Sequence, residues 1–153
     1  MSRSAFATVC VGLGLFMARG ALVPASVHGA SCYPPPRLVV QGTGAAATVY
    51  DAATKLTWQQ AASSTVMTWD AAKAYCAAPF RLPSMKELLT IVDHTVASPG
   101  PTINAAAFPN TPAAFFWTSS AVAGATDAWY INFEDGSSYY INATNPYRVR
   151  CVR

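Results

Sequence analysis

Histidine is nearly missing from this chain. Its only two, His28 and His94, stand apart, and no CxxC or HExxH spacing accompanies them, which excludes the usual zinc sites. No GxSxG elbow occurs, so a serine hydrolase would have to draw on His94 and on Ser119 or Ser120 without the strained turn that exposes such a nucleophile. Charge is scarce too: 11% of 153 residues are Asp, Glu, Lys or Arg, against 52% hydrophobic. That balance excludes a disordered polyelectrolyte and fits one globular unit. After residue 17 no apolar stretch reaches membrane-spanning length, so no stable membrane span is expected once the N-terminus is removed.

The N-terminus has its own pattern. Arg3 precedes an apolar run over 5–17, and residues 21–30 are small and polar-leaning. This layout predicts a secretory signal peptide over 1–30, with cleavage after Gly29 or after Ala25; an uncleaved anchor helix is the alternative. Ser31 before Cys32 raises a lipoprotein reading, although Gly29 stands where leucine is usual. The expected location is secreted or cell-surface, with a periplasmic or outer-membrane lipoprotein as variants. Loss of residues 1–29 removes Arg3 and Arg19 and no acid, which lowers the formal net charge from +3 to +1. The basic balance thus says little about partners. Only RVRCVR at 148–153 is locally basic, and its arginines, on a predicted terminal strand, are expected to face solvent, not a nucleic acid.

Of four cysteines, Cys10 falls in the signal, which leaves Cys32, Cys76 and Cys151. An exported chain permits disulfides. Cys76 ends a predicted helix and Cys151 lies in the terminal strand. A bridge between them would close nearly the whole domain, worth roughly 4 kcal/mol on the chain-entropy model. Cys32 would then be free, lipidated or paired between chains.

Residues 31–47 are rich in Pro, Gly and Ala and read as a tether, with PPP at 34–36 stiff and extended. Residues 48–153 read as the domain. A hairpin is expected from 48–50 and 55–59 around a turn at 51–54. Thr68 is expected to cap a helix over 69–77, with Trp69, Ala72 and Cys76 on its inner face and Asp70 in its first turn. In RLPSMKELLTIVD at 81–93, Pro83 blocks backward extension, Ser84 and Glu87 form a capping box, and Met85, Leu88, Leu89 and Val92 make the apolar stripe. Four prolines between 97 and 112 preclude an element there, while Ile103, Ala107 and Phe108 plug that stretch to the core. Strands follow at 115–120, around 129–133, at 138–142 and at 148–152, with Asp135-Gly136 as a turn. The whole predicts an α+β domain with two short helices packed on antiparallel sheet.

No catalytic, metal or cofactor site assembles from these residues. Asp127, Asn132, Glu134 and Asp135 lack the alternate spacing of a calcium loop. Glu87 is occupied by its cap, which makes Glu87, Asp93 and Asp127 poor acid–base partners. Aromatics are abundant, with four Trp and seven Tyr. Trp58, Trp69, Trp117 and Trp129 sit in amphipathic elements and are assigned to packing. Neighbouring strand residues point to opposite sides, so at least one of Tyr139 and Tyr140 must be exposed. With Tyr130, Asn132, Glu134 and Asn142 they form the candidate ligand face, suited to a sugar or a protein contact.

TWDAAKAYC at 68–76, RLPSMKELLTIVD at 81–93, FWTSS at 116–120, WYINFEDG at 129–136 and YRVRCVR at 147–153 together resemble one bacterial family. This is DUF1566, the Legionella collagen-like protein C-terminal domain family, and the match covers about 49–153. The resemblance implies a C-type-lectin-like fold related to sulfatase-modifying proteins, in exported or surface-attached chains, some associated with adhesion and glycan binding. It also implies a disulfide from the first helix to the last strand, at Cys76 and Cys151. Arg81, Pro83, Ser84 and Glu87 take structural roles at the second helix, and Trp117 and Trp129 are packed aromatics. The Glu-Pro-Asn, Gln-Pro-Asp and Trp-Asn-Asp signatures of calcium-dependent lectins are absent. The expectation is a non-catalytic module that binds an extracellular polysaccharide or surface protein. The alternatives are an enzyme or accessory of the sulfatase-modifying kind, which needs a reactive thiol, and a structural surface protein attached through Cys32.

Overall fold

Alternation of buried and half-exposed residues along TVYD and LTWQ makes a hairpin whose inner side carries Val49 and Trp58, both fully buried. In the computed structural model, which describes residues 36–153, these segments are β2 (Thr48–Asp51) and β3 (Leu56–Gln59). The signal-peptide reading of 1–30, residues 31–35 of the tether and Cys32 lie outside the described residues. Part of the stretch read as tether is a strand. β1 (Leu38–Gln41) pairs antiparallel with β2 to give a sheet of order β1-β2-β3. Only three apolar residues lie between Arg37 and Gly42, too short a pattern to signal a strand by itself. Arg37 supplies the missing determinant. Its guanidinium forks onto the buried carboxylate of Asp51 at 2.9 and 2.7 Å and also reaches the Thr90 carbonyl at 2.7 Å. Burial opposes the Asp51 charge, but this fork and the Ala53 N–H hold the carboxyl below its usual range.

The first helix, α1 (Trp69–Tyr75), stops two residues short of the expected end. Thr68 occupies the N-cap position, yet its hydroxyl makes no capping bond. The Trp69 N–H donates instead to the Ala143 carbonyl, so the helix start is held by the distant chain. Ala72 and Cys76 face inward. In α2 (Met85–Leu89) the capping box is complete: Ser84 Oγ accepts the Glu87 N–H, and Glu87 accepts the Ser84 N–H. The helix ends where Thr90 turns its hydroxyl onto the Glu87 carbonyl. Val92, read as the last member of the helical stripe, therefore lies beyond the helix and bridges to Ile103.

β4 (Phe115–Ala121), β5 (Asp127–Asn132) and β6 (Ser138–Asn142) form a second antiparallel sheet in that order. Gly136, at φ 80°, turns β5 into β6, and Asn132 Oδ1 holds the Glu134 N–H inside the turn. Both faces of this sheet are used. Phe116, Ile131 and, past the strand end, Phe133 enter a core with Val49, Trp58, Leu88, Phe108 and Val152. Trp117 and Ala128 point the other way, into a second core with Ala72, Cys76, Leu82, Val149 and Cys151. The proline-rich stretch is anchored as expected, with Ile103, Ala107 and Phe108 all buried. Gly100 is required there: a Cβ would lie 2.3 Å from the Thr102 nitrogen and 2.5 Å from the Phe133 oxygen.

Residues 148–152, expected as a closing strand, form isolated bridges to several partners and belong to neither sheet. Arg148 bonds to Phe115 and Trp117, Cys151 and Arg153 bond to Gln59 and Thr57, and Val152 exchanges bonds with Arg81. This extended rod ties β4, β3 and the chain before α2 together. The disulfide Cys76–Cys151 fastens it to the end of α1, with Cα atoms 5.7 Å apart. The arginines of the rod depart from expectation. Arg150 is buried, with its guanidinium on the Gln59 and Gln60 carbonyls and on Thr111 Oγ1, 4.6 Å over the Phe108 ring. Arg148 donates to the Ser63 carbonyl. Only Arg153 is exposed, against the Phe80 ring. The alternation rule that placed them in solvent fails because the rod is enclosed on both sides. The result is an α+β fold of two short helices and two three-stranded antiparallel sheets.

Candidate functional site

Period-two geometry places Phe115 and Trp117 of β4, Tyr130 of β5 and Tyr139 of β6 on one face of the second sheet. Tyr147, from the start of the C-terminal rod, drops among them. Ring centroids lie 5.2 Å apart for Phe115 and Tyr130, 5.0 Å for Phe115 and Tyr147, and 4.8 Å for Tyr130 and Tyr147. Tyr139 continues the row 5.9 Å from Tyr130. Trp117 lies buried underneath, 4.7 Å from Tyr147, with its indole N–H donated to the Met67 carbonyl. The outer members are open, Phe115 at 40% and Tyr139 at 50% exposure. Burial raises the Tyr147 phenol above its usual range, helped by the Tyr130 hydroxyl. The face combines ring surfaces with phenol hydroxyls and offers stacking plus hydrogen bonds.

The six candidate face residues divide. Tyr130 and Tyr139 belong to this row. Tyr140 projects from the opposite face, 5.3 Å from the half-buried Trp129. Asn132 is buried as a turn acceptor, and Glu134 stands exposed in that turn. Asn142 orders the next turn, with Oδ1 accepting from Thr144 and Nδ2 donating to Thr126. Phe115 and Tyr147 are not among the candidate face residues of the sequence. The i, i+2 relation of Phe115 to Trp117 was the available signal for the first. Nothing local marks Tyr147, which arrives through the Met67–Tyr147 bridge.

Of the ionisable groups of RLPSMKELLTIVD, Arg81 and Glu87 pair with each other, and Asp93 is bonded apart from them to Thr95. Arg81 donates to both Glu87 oxygens, at 2.8 and 2.6 Å, and this fork, with the Ser84 N–H and hydroxyl, lowers the Glu87 carboxyl to about 2. A carboxylate committed to four hydrogen bonds and held that far below neutral pH is a poor general acid or base. Pro83 is buried, and its carbonyl accepts the Ser119 N–H. Asp93 is held below its usual range by the Thr95 hydroxyl and N–H. Trp58 fills the first core, and Trp69 donates its indole N–H to the Thr118 carbonyl. An open groove of about 580 Å³ lies beside β1, lined by Arg37, Thr90, Asp93, His94 and Asn104 among others, but its two strongest polar groups are already bonded, Arg37 to Asp51 and Asp93 to Thr95. Among the described residues no group of three or more His, Cys, Asp or Glu is placed to hold a metal ion.

The described residues thus form a disulfide-closed α+β domain that carries an open aromatic row. The family model of the Lcl C-terminal domain matches residues 47–153, and the chain belongs to that family. Comparison with curated proteins finds no match. Family membership and the described site chemistry are consistent with a non-catalytic protein.

Proposed function

We propose that the chain is an exported, C-type-lectin-like binding module that takes an extracellular glycan on the Phe115–Tyr130–Tyr139–Tyr147 face. The carrying observation is that row of neighbouring rings, half open to solvent. A pyranose presents an apolar C–H face that stacks on such rings, while its hydroxyls meet the phenols. The signal-like segment at 1–30 and the family support export to the cell surface or medium. No described helix is long and apolar enough to cross a membrane. The thiol-dependent enzyme alternative has lost its candidate nucleophiles, because Cys76 and Cys151 are joined.

A polysaccharide pull-down and glycan array, with and without EDTA, test the reading. Binding is expected to survive EDTA. Phe115→Ala and Tyr139→Ala should each weaken it roughly 5- to 10-fold, whereas His94→Ala in the groove should leave it unchanged. Loss in EDTA would remove the metal-independent mechanism. Absence of any glycan ligand would favour a protein partner for the same face.

A further inference from the structure

The two sheets have four edges between them, and the fold treats these unequally. The outer edge of β3 is bonded by the C-terminal rod, through Thr57 with Arg153 and the Gln59 N–H to the Cys151 carbonyl. The outer edge of β4 meets Arg148 and the Pro83 carbonyl. β1 is short and bounded by the charge of Arg37. Among the described residues no strand or rod pairs with the outer side of β1 or of β6, and of these two open edges β6 is the longer, the one carrying two exposed tyrosines.

The ladder fixes which groups are left over. The bonds from Asn132 N–H to the Ser137 carbonyl and from Ala143 N–H to the Thr126 carbonyl mark alternate bonded pairs. Tyr139 and Ile141 therefore turn their backbone groups to β5, while Ser138, Tyr140 and Asn142 turn theirs outward. The Asn142 carbonyl already accepts both the Asn145 N–H and its side-chain Nδ2–H, so of the outward groups of Asn142 only the N–H is open. Edges of this kind are usually guarded by charge, proline or a bulge. SYYIN contains no ionisable charge at neutral pH and no proline, and its register with β5 runs unbroken, the irregularity of this sheet being in β4. Tyr139 and Tyr140 are 50% and 56% exposed, on opposite faces.

We propose that β6 pairs antiparallel with β6 of a second copy of this chain, about a two-fold axis at Tyr140, to make one six-stranded sheet. The strand is complementary to itself in that register. Tyr140 meets Tyr140 and exchanges both backbone bonds, Ser138 meets Asn142, and Tyr139 meets Ile141, which gives aromatic–aromatic, polar–polar and aromatic–aliphatic pairs. No like charges are brought together within the strand, as a two-fold would do with any charged central residue. The axis is perpendicular to the sheet, so the Phe115–Tyr139 rows of both copies fall on one side. Tyr139 lies in both the row and the seam, but the test below reads association without any ligand and so does not depend on what that face binds.

Sedimentation velocity on the exported chain carrying Cys32→Ser, which removes covalent pairing, tests this from micromolar to sub-millimolar concentration. The expected result is a monomer–dimer equilibrium, with amide exchange at Tyr140 and Asn142 slowing as the dimer fills. Tyr140→Lys, which opposes two charges at the axis, should raise the dissociation constant at least ~10-fold. Val40→Lys on β1 should not change it. A monomer throughout the range, or a dimer weakened by Val40→Lys and not by Tyr140→Lys, overturns the proposal. If Tyr140→Lys fails to fold, the exchange rates of the unsubstituted strand decide: no concentration dependence at Tyr140 and Asn142 refutes it.

Discussion

Arg150 carries a full charge into the interior with no carboxylate among its hydrogen-bond partners. Burial pushes its guanidinium down to about 9, still above neutral pH, so the ion is stabilised by carbonyl dipoles, the Thr111 hydroxyl and the Phe108 ring. The planar fork matters because Nη1 donates to both carbonyls while Nη2 donates to the Thr111 hydroxyl. Lysine would keep the buried charge and lose that geometry. Arg150→Lys is therefore expected to destabilise the protein by about 2–4 kcal/mol, more than Arg150→Met, which leaves acceptors unpaired but buries no ion. Urea denaturation of the two variants at pH 7 checks the order. The sequence showed three nearly alternating arginines and nothing that distinguished the middle one, since enclosure comes from Gln59, Gln60 and Thr111, far away in the chain.

At the scale of elements, α2 is the part most legible in the sequence. Ser84, Glu87 and the blocking Pro83 define its start through bonds within four residues, and local bonds are what a local pattern encodes. Arg81 adds the ionic half. The Glu87 carboxyl titrates at about 2 in the folded protein, below its ordinary value of 4.5. Its contribution to stability is thus fully present above about pH 4.5 and is lost as the pH falls toward about 2. Glu87→Gln should cost about 1–2 kcal/mol at pH 7, a modest figure because Arg81 is half exposed. It should also flatten the fall in stability over that acid window, as thermal unfolding at neutral and acid pH will show. α1 and β1 were harder to place because their ends are set elsewhere, by the Ala143 carbonyl and by the Arg37–Asp51 pair.

For the whole molecule the decisive restraint is the Cys76–Cys151 bridge, which closes a sequence separation of 75 residues and joins α1 to the rod between the sheets. Replacing both cysteines by serine should lower stability by about 4 kcal/mol, measured by urea denaturation, provided the folded geometry persists in the variant's near-UV spectrum. The bridge also positions Tyr147, four residues before Cys151, against Trp117 and Tyr130. Loosening of the aromatic row is therefore expected along with the loss of stability.

The amino-acid sequence by itself determined the α+β class, the second helix with its capping box, the hairpins around residues 51–54 and 135–136, and the absence of zinc-site and serine-hydrolase motifs. Each of these rests on bonds or periodicities that span a few residues. Tertiary structure decided the rest: that Arg150 is buried, that residues 38–41 join a sheet, that Tyr140 and Asn142 leave the candidate face, and that Phe115 and Tyr147 enter it. Those outcomes depend on which distant segments enclose a residue, and a single strand's alternation names two faces without saying what covers either.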